Sequence, residues 1–123
     1  MRTAVTIALL LIASSAFGHS MWGEKTVKAW PYPVEKTIGI DANIINKREA
    51  AIYSLYVVED DVRIPFFALN RKFYLETDEK VTETVYIEHN KPLPRTFLVC
   101  SMTVNLNPNS TICIKTTVED ITK

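Results

Sequence analysis

The feature that most limits how this chain can fold is a pair of cysteines, the only two it has, set symmetrically about a polar turn. The stretch reads Arg95-Thr-Phe-Leu-Val-Cys100-Ser-Met-Thr-Val-Asn105-Leu-Asn-Pro-Asn-Ser110-Thr-Ile-Cys113-Ile-Lys115-Thr-Thr-Val-Glu119. Runs of β-branched and aromatic residues flank Asn105 to Asn109, so the segment is predicted to be a β-hairpin. The midpoint between Cys100 and Cys113 falls between Leu106 and Asn107, and a symmetric register sets the cysteines opposite each other on one face. A cross-strand disulfide follows from that placement. Two reduced thiols in a cytosolic sheet have the same spacing, because a one-residue bulge would move them to opposite faces. The compartment decides between the two.

The amino terminus speaks to the compartment. Met1-Arg2 precedes an apolar run from Ala4 to Ala13, followed by the small-residue stretch Ser14-Ser15-Ala16-Phe17-Gly18. This is the order of a secretory signal, and the run is too short for the ~20 apolar residues of a membrane span. Residues 1–18 are expected to be the signal peptide and 19–123 one secreted domain, although Ala16 and Ser20 also permit cleavage. Secretion implies an oxidising environment, in which the two cysteines pair. Without Arg2 the chain keeps 13 basic against 14 acidic residues, a net charge of −1. Such a balance offers no field for nucleic acid or anionic lipid.

Between the signal and the hairpin the chain reads as short strands. Val34 to Ile40 is predicted to be one; Ala42 to Ala51 is expected to form a loop or single helical turn. There Ile45, Arg48 and Ile52 share helical spacing, while Asn43, Asn46 and Lys47 suit a turn. Ala51 to Val58 reads as a buried strand, closed by Glu59-Asp60-Asp61 as solvated turn charge. Pro65 marks an edge, Lys72 to Leu75 resumes, and Lys80 to Glu88 alternates with Val81, Val85 and Ile87 toward the core. The expected fold is all-β, a small antiparallel β-sandwich of about six or seven strands with one disulfide.

Trp22-Gly23 close behind the signal, Ile52 through Asp60, and Val85-Tyr-Ile-Glu-His-Asn-Lys-Pro-Leu-Pro-Arg95-Thr-Phe-Leu-Val99 together resemble the small insect proteins of the multiprotein bridging factor two family, described as salivary secreted peptides. The paired glycines of that family's middle are replaced here by Pro65-Phe66-Phe67-Ala68, and the cysteine hairpin lies outside the likeness. The family name implies a transcriptional coactivator. The signal and the near-neutral charge point outside the cell instead.

Four sets of residues carry candidate chemistry. If cleavage follows Gly18, His19 offers an α-amino group and an imidazole to one metal, with His89 as a further nitrogen, a donor set suited to Cu(II). That arrangement resembles the histidine brace of small secreted β-sandwiches, including polysaccharide monooxygenases and periplasmic copper carriers; the bland reading is two ordinary turn histidines. Glu76, Asp78 and Glu79 lack calcium-loop spacing, and no Gly-x-Ser-x-Gly elbow is present to suggest a hydrolase. Asn109-Ser110-Thr111 is an acceptor for an N-linked glycan at the hairpin turn. Trp22, Trp30 and Tyr32 either cap the core or form an exposed binding edge. The resulting expectation is a secreted extracellular binding or effector protein without catalysis or cofactor, acting through protein or small-ligand contacts. The alternative is a copper-binding protein or small oxidative enzyme using His19 and His89.

Overall fold

The computed structural model describes residues 19–123; the signal peptide expected over 1–18 lies outside the described residues. Strand β3 (Thr37–Asn46) shows how the sequence specifies the fold, since Ile38, Ile40, Ala42 and Ile44 occupy alternate positions and are all buried. A period of two sends every second side chain to one face. The loop or helical turn expected from Ala42 is thereby corrected: the strand continues to Asn46, and the chain turns only over 47–50. Asn46 makes this possible from inside the protein. Its amide donates to the carbonyls of Glu49 (3.0 Å) and Leu75 (3.1 Å), and its oxygen accepts from the Arg48 amide (3.1 Å) and the Tyr53 hydroxyl (2.6 Å). Burial pushes the Tyr53 phenol up to about 12, so the hydroxyl remains a donor.

The other strands are β1 (His19–Gly23), β2 (Thr26–Ala29), β4 (Ala51–Glu59), β5 (Val62–Ile64), β6 (Lys72–Leu75), β7 (Lys80–Glu88), β8 (Arg95–Thr103) and β9 (Thr111–Asp120). One sheet runs β1-β3-β7; the other runs β2-β9-β8-β4-β5, with β6 also paired to β4. The two sheets close as a sandwich over Ile38, Ile40, Ile44, Tyr53, Leu55, Val57, Val85, Ile87, Phe97, Val99 and Val118. Among the described residues nine strands stand where six or seven were expected. The chain crosses from one sheet to the other at Glu24-Lys25, dividing its first extended stretch into β1 and β2, and β5 and β6 are short pieces on either side of Pro65 and Leu69. The β2–β9 pairing is parallel, the exception in an otherwise antiparallel fold.

The cysteine hairpin forms as the spacing predicts. Cys100 stands opposite Cys113 in the β8–β9 register, the two are disulfide-bonded, and their Cα atoms lie 4.0 Å apart. Phe97, Val99 and Ser101 of β8 point inward, so the bond lies on the outer face of the sheet, where Cys100 is covered and Cys113 is exposed. At the β4–β5 turn Asp60 and Asp61 both have positive φ (52° and 65°), as a two-residue hairpin requires. Glu59, read as solvated with them, is instead buried against Arg95.

Candidate functional site

The two histidines are both buried and lie at opposite ends of the sandwich. His19 pairs with Asn46 at one end of β3, whereas His89 follows Glu88, which pairs with Thr37 at the other. That separation is the length of β3, roughly 30 Å at about 3.3 Å per residue. One chain cannot bring both imidazoles to one metal, and the His19/His89 brace is corrected on that ground. His19 is a hydrogen-bonded core residue. Its Nε2 donates to Ser101 (Oγ 2.8 Å, carbonyl 3.2 Å), its Nδ1 accepts from the Ser110 hydroxyl (2.8 Å), and it meets the Tyr53 ring edge-on at 4.9 Å. Burial lowers its pKa, with the Ser101 carbonyl bond opposing, so the ring is neutral. His89 donates from Nε2 to the Trp30 carbonyl (3.0 Å), and its Nδ1 has no partner among the described residues.

The three aromatic residues are exposed, Trp22 by 44%, Trp30 by 49% and Tyr32 by 57%, so they do not cap the core. Nor do they form one surface. Trp22 stands on β1 with the Lys80 ammonium 6.0 Å from its ring centre, while Trp30 and Tyr32 follow β2, with Tyr32 beside Pro92, Leu93 and His89. The switch between sheets at Glu24-Lys25 separates them. Asn109 is exposed in the β8–β9 loop.

What the structure brings together is a site made by two strand edges. β2 covers β9 only from Thr117 to Asp120, and on that side Thr111 to Thr116 have no strand partner among the described residues. The Thr117 amide donates outward to the Lys25 carbonyl (2.9 Å). In an antiparallel pair alternate residues aim their backbone groups the same way, so Lys115 and Cys113 also turn N–H and C=O away from β8, toward open space. Facing them across the gap is the edge of β1 away from β3, which has no strand partner among the described residues. Between the two edges lies a groove of about 540 Å³, walled by Met21, Trp22, Gly23 and Ile114, with Lys25 and Lys115 at its rim. Gly23 permits the close approach of the sheets at this point: a Cβ there would sit 2.7 Å from both the Asp41 carbonyl oxygen and Ile114 Cδ1.

Other long strands are covered or blunted at their edges. β4 is covered by β5 and β6, themselves strands of only three and four residues. On β7, Phe67 bridges to Tyr86, and Glu83 is buried pointing inward, held by the Asn70 amide at 3.3 Å; an inward charge blunts an edge against strand addition. Residue spacing shows none of this, because openness depends on where β2 stops relative to β9, a relation between segments far apart in the chain.

No protein-family model matches the sequence, and no curated protein matches it either. Solved structures with the same fold are found. The Escherichia coli chaperone DraB superposes with a TM-score of 0.61 at 14% identity, over 84% of this chain and 55% of that one. A structure of the Salmonella enterica SafA pilin in complex with the SafB chaperone gives 0.61 at 16%, over 85% and 55%. The ASH/PapD-like domain 7 of human CEP192 gives 0.53 at 12%, over 84% of each chain. The chain thus spans about half the length of these two bacterial chains and most of the human domain. At these identities the likeness is one of fold.

Proposed function

We propose that this is a secreted extracellular binding protein without catalytic activity, which takes a protein partner as an added strand along β9. One observation carries the reading: Cys113 and Lys115 present backbone donors and acceptors with no strand partner among the described residues beside an apolar groove, and main-chain pairing with pockets for alternate side chains is how sheet edges recognise extended peptides. The disulfide belongs to an oxidising compartment, in agreement with the signal expected at the amino terminus. The resemblance to salivary secreted peptides supports the same location, and an N-glycan on Asn109 is expected with it. The SafA–SafB complex supports a protein partner for a sandwich of this shape.

Peptides selected by display against the secreted protein test the reading. Lys115→Pro removes an outward amide and leaves the β8–β9 ladder intact, since that N–H points away from β8. Selected peptides are expected to bind the parent and lose binding to Lys115→Pro at an unchanged melting temperature. Peptides that bind both proteins alike, or that leave the Cys113 and Lys115 amides unprotected from hydrogen exchange, would overturn it.

A further inference from the structure

We infer that the strand accepted by β9 carries carboxylates at alternate positions with aliphatic side chains between them, an inference that rests on the strand-addition reading above. A strand laid against Thr111 to Thr116 sends successive side chains to opposite faces of the sheet. On the inner side its neighbours are apolar. Ile112 and Ile114 lie on the core-facing side of β9, opposite Ser101 and Val99, and Ile114 shares the groove with Met21 and Gly23. On the outer side the neighbours are Cys113, occupied by its disulfide, and Lys115, while Lys25, just ahead of β2, lines the end of the groove. Lys115 and Lys25 form no ion pair among the described residues, whereas Lys28 of the adjacent covered segment is bound to Glu119 at 2.7 Å. Glu24, the carboxylate next to Lys25 in sequence, pairs with neither lysine.

The edge therefore offers an apolar row inside and two lysines without an ion pair among the described residues, Lys115 on the outer side and Lys25 at the end of the groove. The occupant complementary to both alternates valine- or isoleucine-like residues with glutamate or aspartate over about five or six residues, the usual length of a strand. A second copy of this chain fits poorly, because β9 against β9 would bring Lys115 and Lys25 of each molecule toward those of the other, and like charges across a pair are destabilising.

Three capped seven-residue peptides serve as probes, alternating valine with glutamate, with glutamine or with lysine, followed by hydrogen exchange at the Cys113 and Lys115 amides and by Trp22 fluorescence. The glutamate peptide is expected to bind about tenfold more tightly than the lysine peptide at low salt, as two exposed ion pairs allow. Added salt should erase most of that preference. Lys25→Glu/Lys115→Glu should reverse the order without changing the melting temperature by more than a few degrees. If all three peptides protect the edge amides equally, or the lysine peptide binds best, the acidic preference is wrong while strand addition stands. If none protects them, strand addition itself fails and this inference with it.

Discussion

Replacing Arg95 by methionine should cost this small sandwich a large part of its stability, for a reason visible at the junction of β4, β7 and β8. Arg95 and Glu59 are side chains 5% and 6% exposed. Arg95 Nε and Nη2 donate to the two carboxylate oxygens at 2.8 Å each, and Nη1 donates to the Glu88 carbonyl at 3.0 Å. These bonds hold the Glu59 carboxyl below its ordinary range although burial opposes them. Arg95→Met leaves that carboxylate buried with Lys91, itself 57% exposed and 3.8 Å away, as its remaining cation. An uncompensated buried charge costs about 3–5 kcal/mol, and Glu59→Met, which strands the guanidinium, should cost a similar amount. The double variant exchanges a paired charge for apolar volume and should stay within about 2 kcal/mol of the parent, since such replacements are often close to neutral. Urea unfolding at pH 7 measures the cycle, with each single variant losing about 1 M or more of midpoint at slopes of ~1–3 kcal/mol per molar. The pair's contribution is complete above the ordinary glutamate pKa and declines as pH falls through it, because the unfolded chain binds the proton first. The gap between the parent and Arg95→Met should therefore narrow as pH falls toward and through about 4.3, beginning above that value because the variant's stranded buried carboxylate takes up its proton before the unfolded chain does. Additive single losses, or a gap unchanged in acid, would refute the coupling.

Two further outcomes are expected. Non-reducing peptide mapping of the secreted protein should find Cys100 linked to Cys113, and Cys100→Ser/Cys113→Ser should fold but unfold about 3 kcal/mol more easily, the closure entropy of a loop with a sequence separation of 13; an unchanged melt would sink that account. Because burial holds the His19 pKa below its ordinary 6.5, stability should be full above about pH 6.5 and fall as pH drops below it, by at most about 1.4 kcal/mol per pH unit. His19→Gln should flatten that slope in urea midpoints taken from pH 8 to 5, and a parallel slope in the variant would show that His19 is not responsible.

The parts of the fold that were legible in the sequence are those decided locally. Cysteines placed evenly about an Asn/Pro turn, alternation along Lys80 to Glu88, and a charged stop at Asp60-Asp61 each specify a strand or turn without reference to the rest of the chain. β3 was obscured because Ile45, Arg48 and Ile52 fall at helical intervals by coincidence, while the informative series Ile38, Ile40, Ala42, Ile44 ends in a polar residue that serves as an internal turn staple. The Glu59–Arg95 pair joins residues 36 apart in the chain, and the separation of Trp22 from Trp30 depends on a change of sheet that Gly23 alone hints at. The candidate site is of the same kind. It is a gap between the first strand and the last, and it is defined by how far a third strand reaches.

The position of the disulfide also changes what cleavage does to this molecule. Residues 104–110 join β8 to β9 in a loop where Val104, Asn105, Asn107, Pro108 and Asn109 are exposed, the kind of segment that proteases nick. The bond between Cys100 and Cys113 spans that loop from either side. A cut anywhere within it opens the backbone yet leaves β9, still laddered to β8 from Arg95 to Met102, covalently attached. The strand bearing the open edge is thus retained through damage that would release it from an unbridged hairpin, and the nicked molecule separates into two pieces only when the bond is reduced.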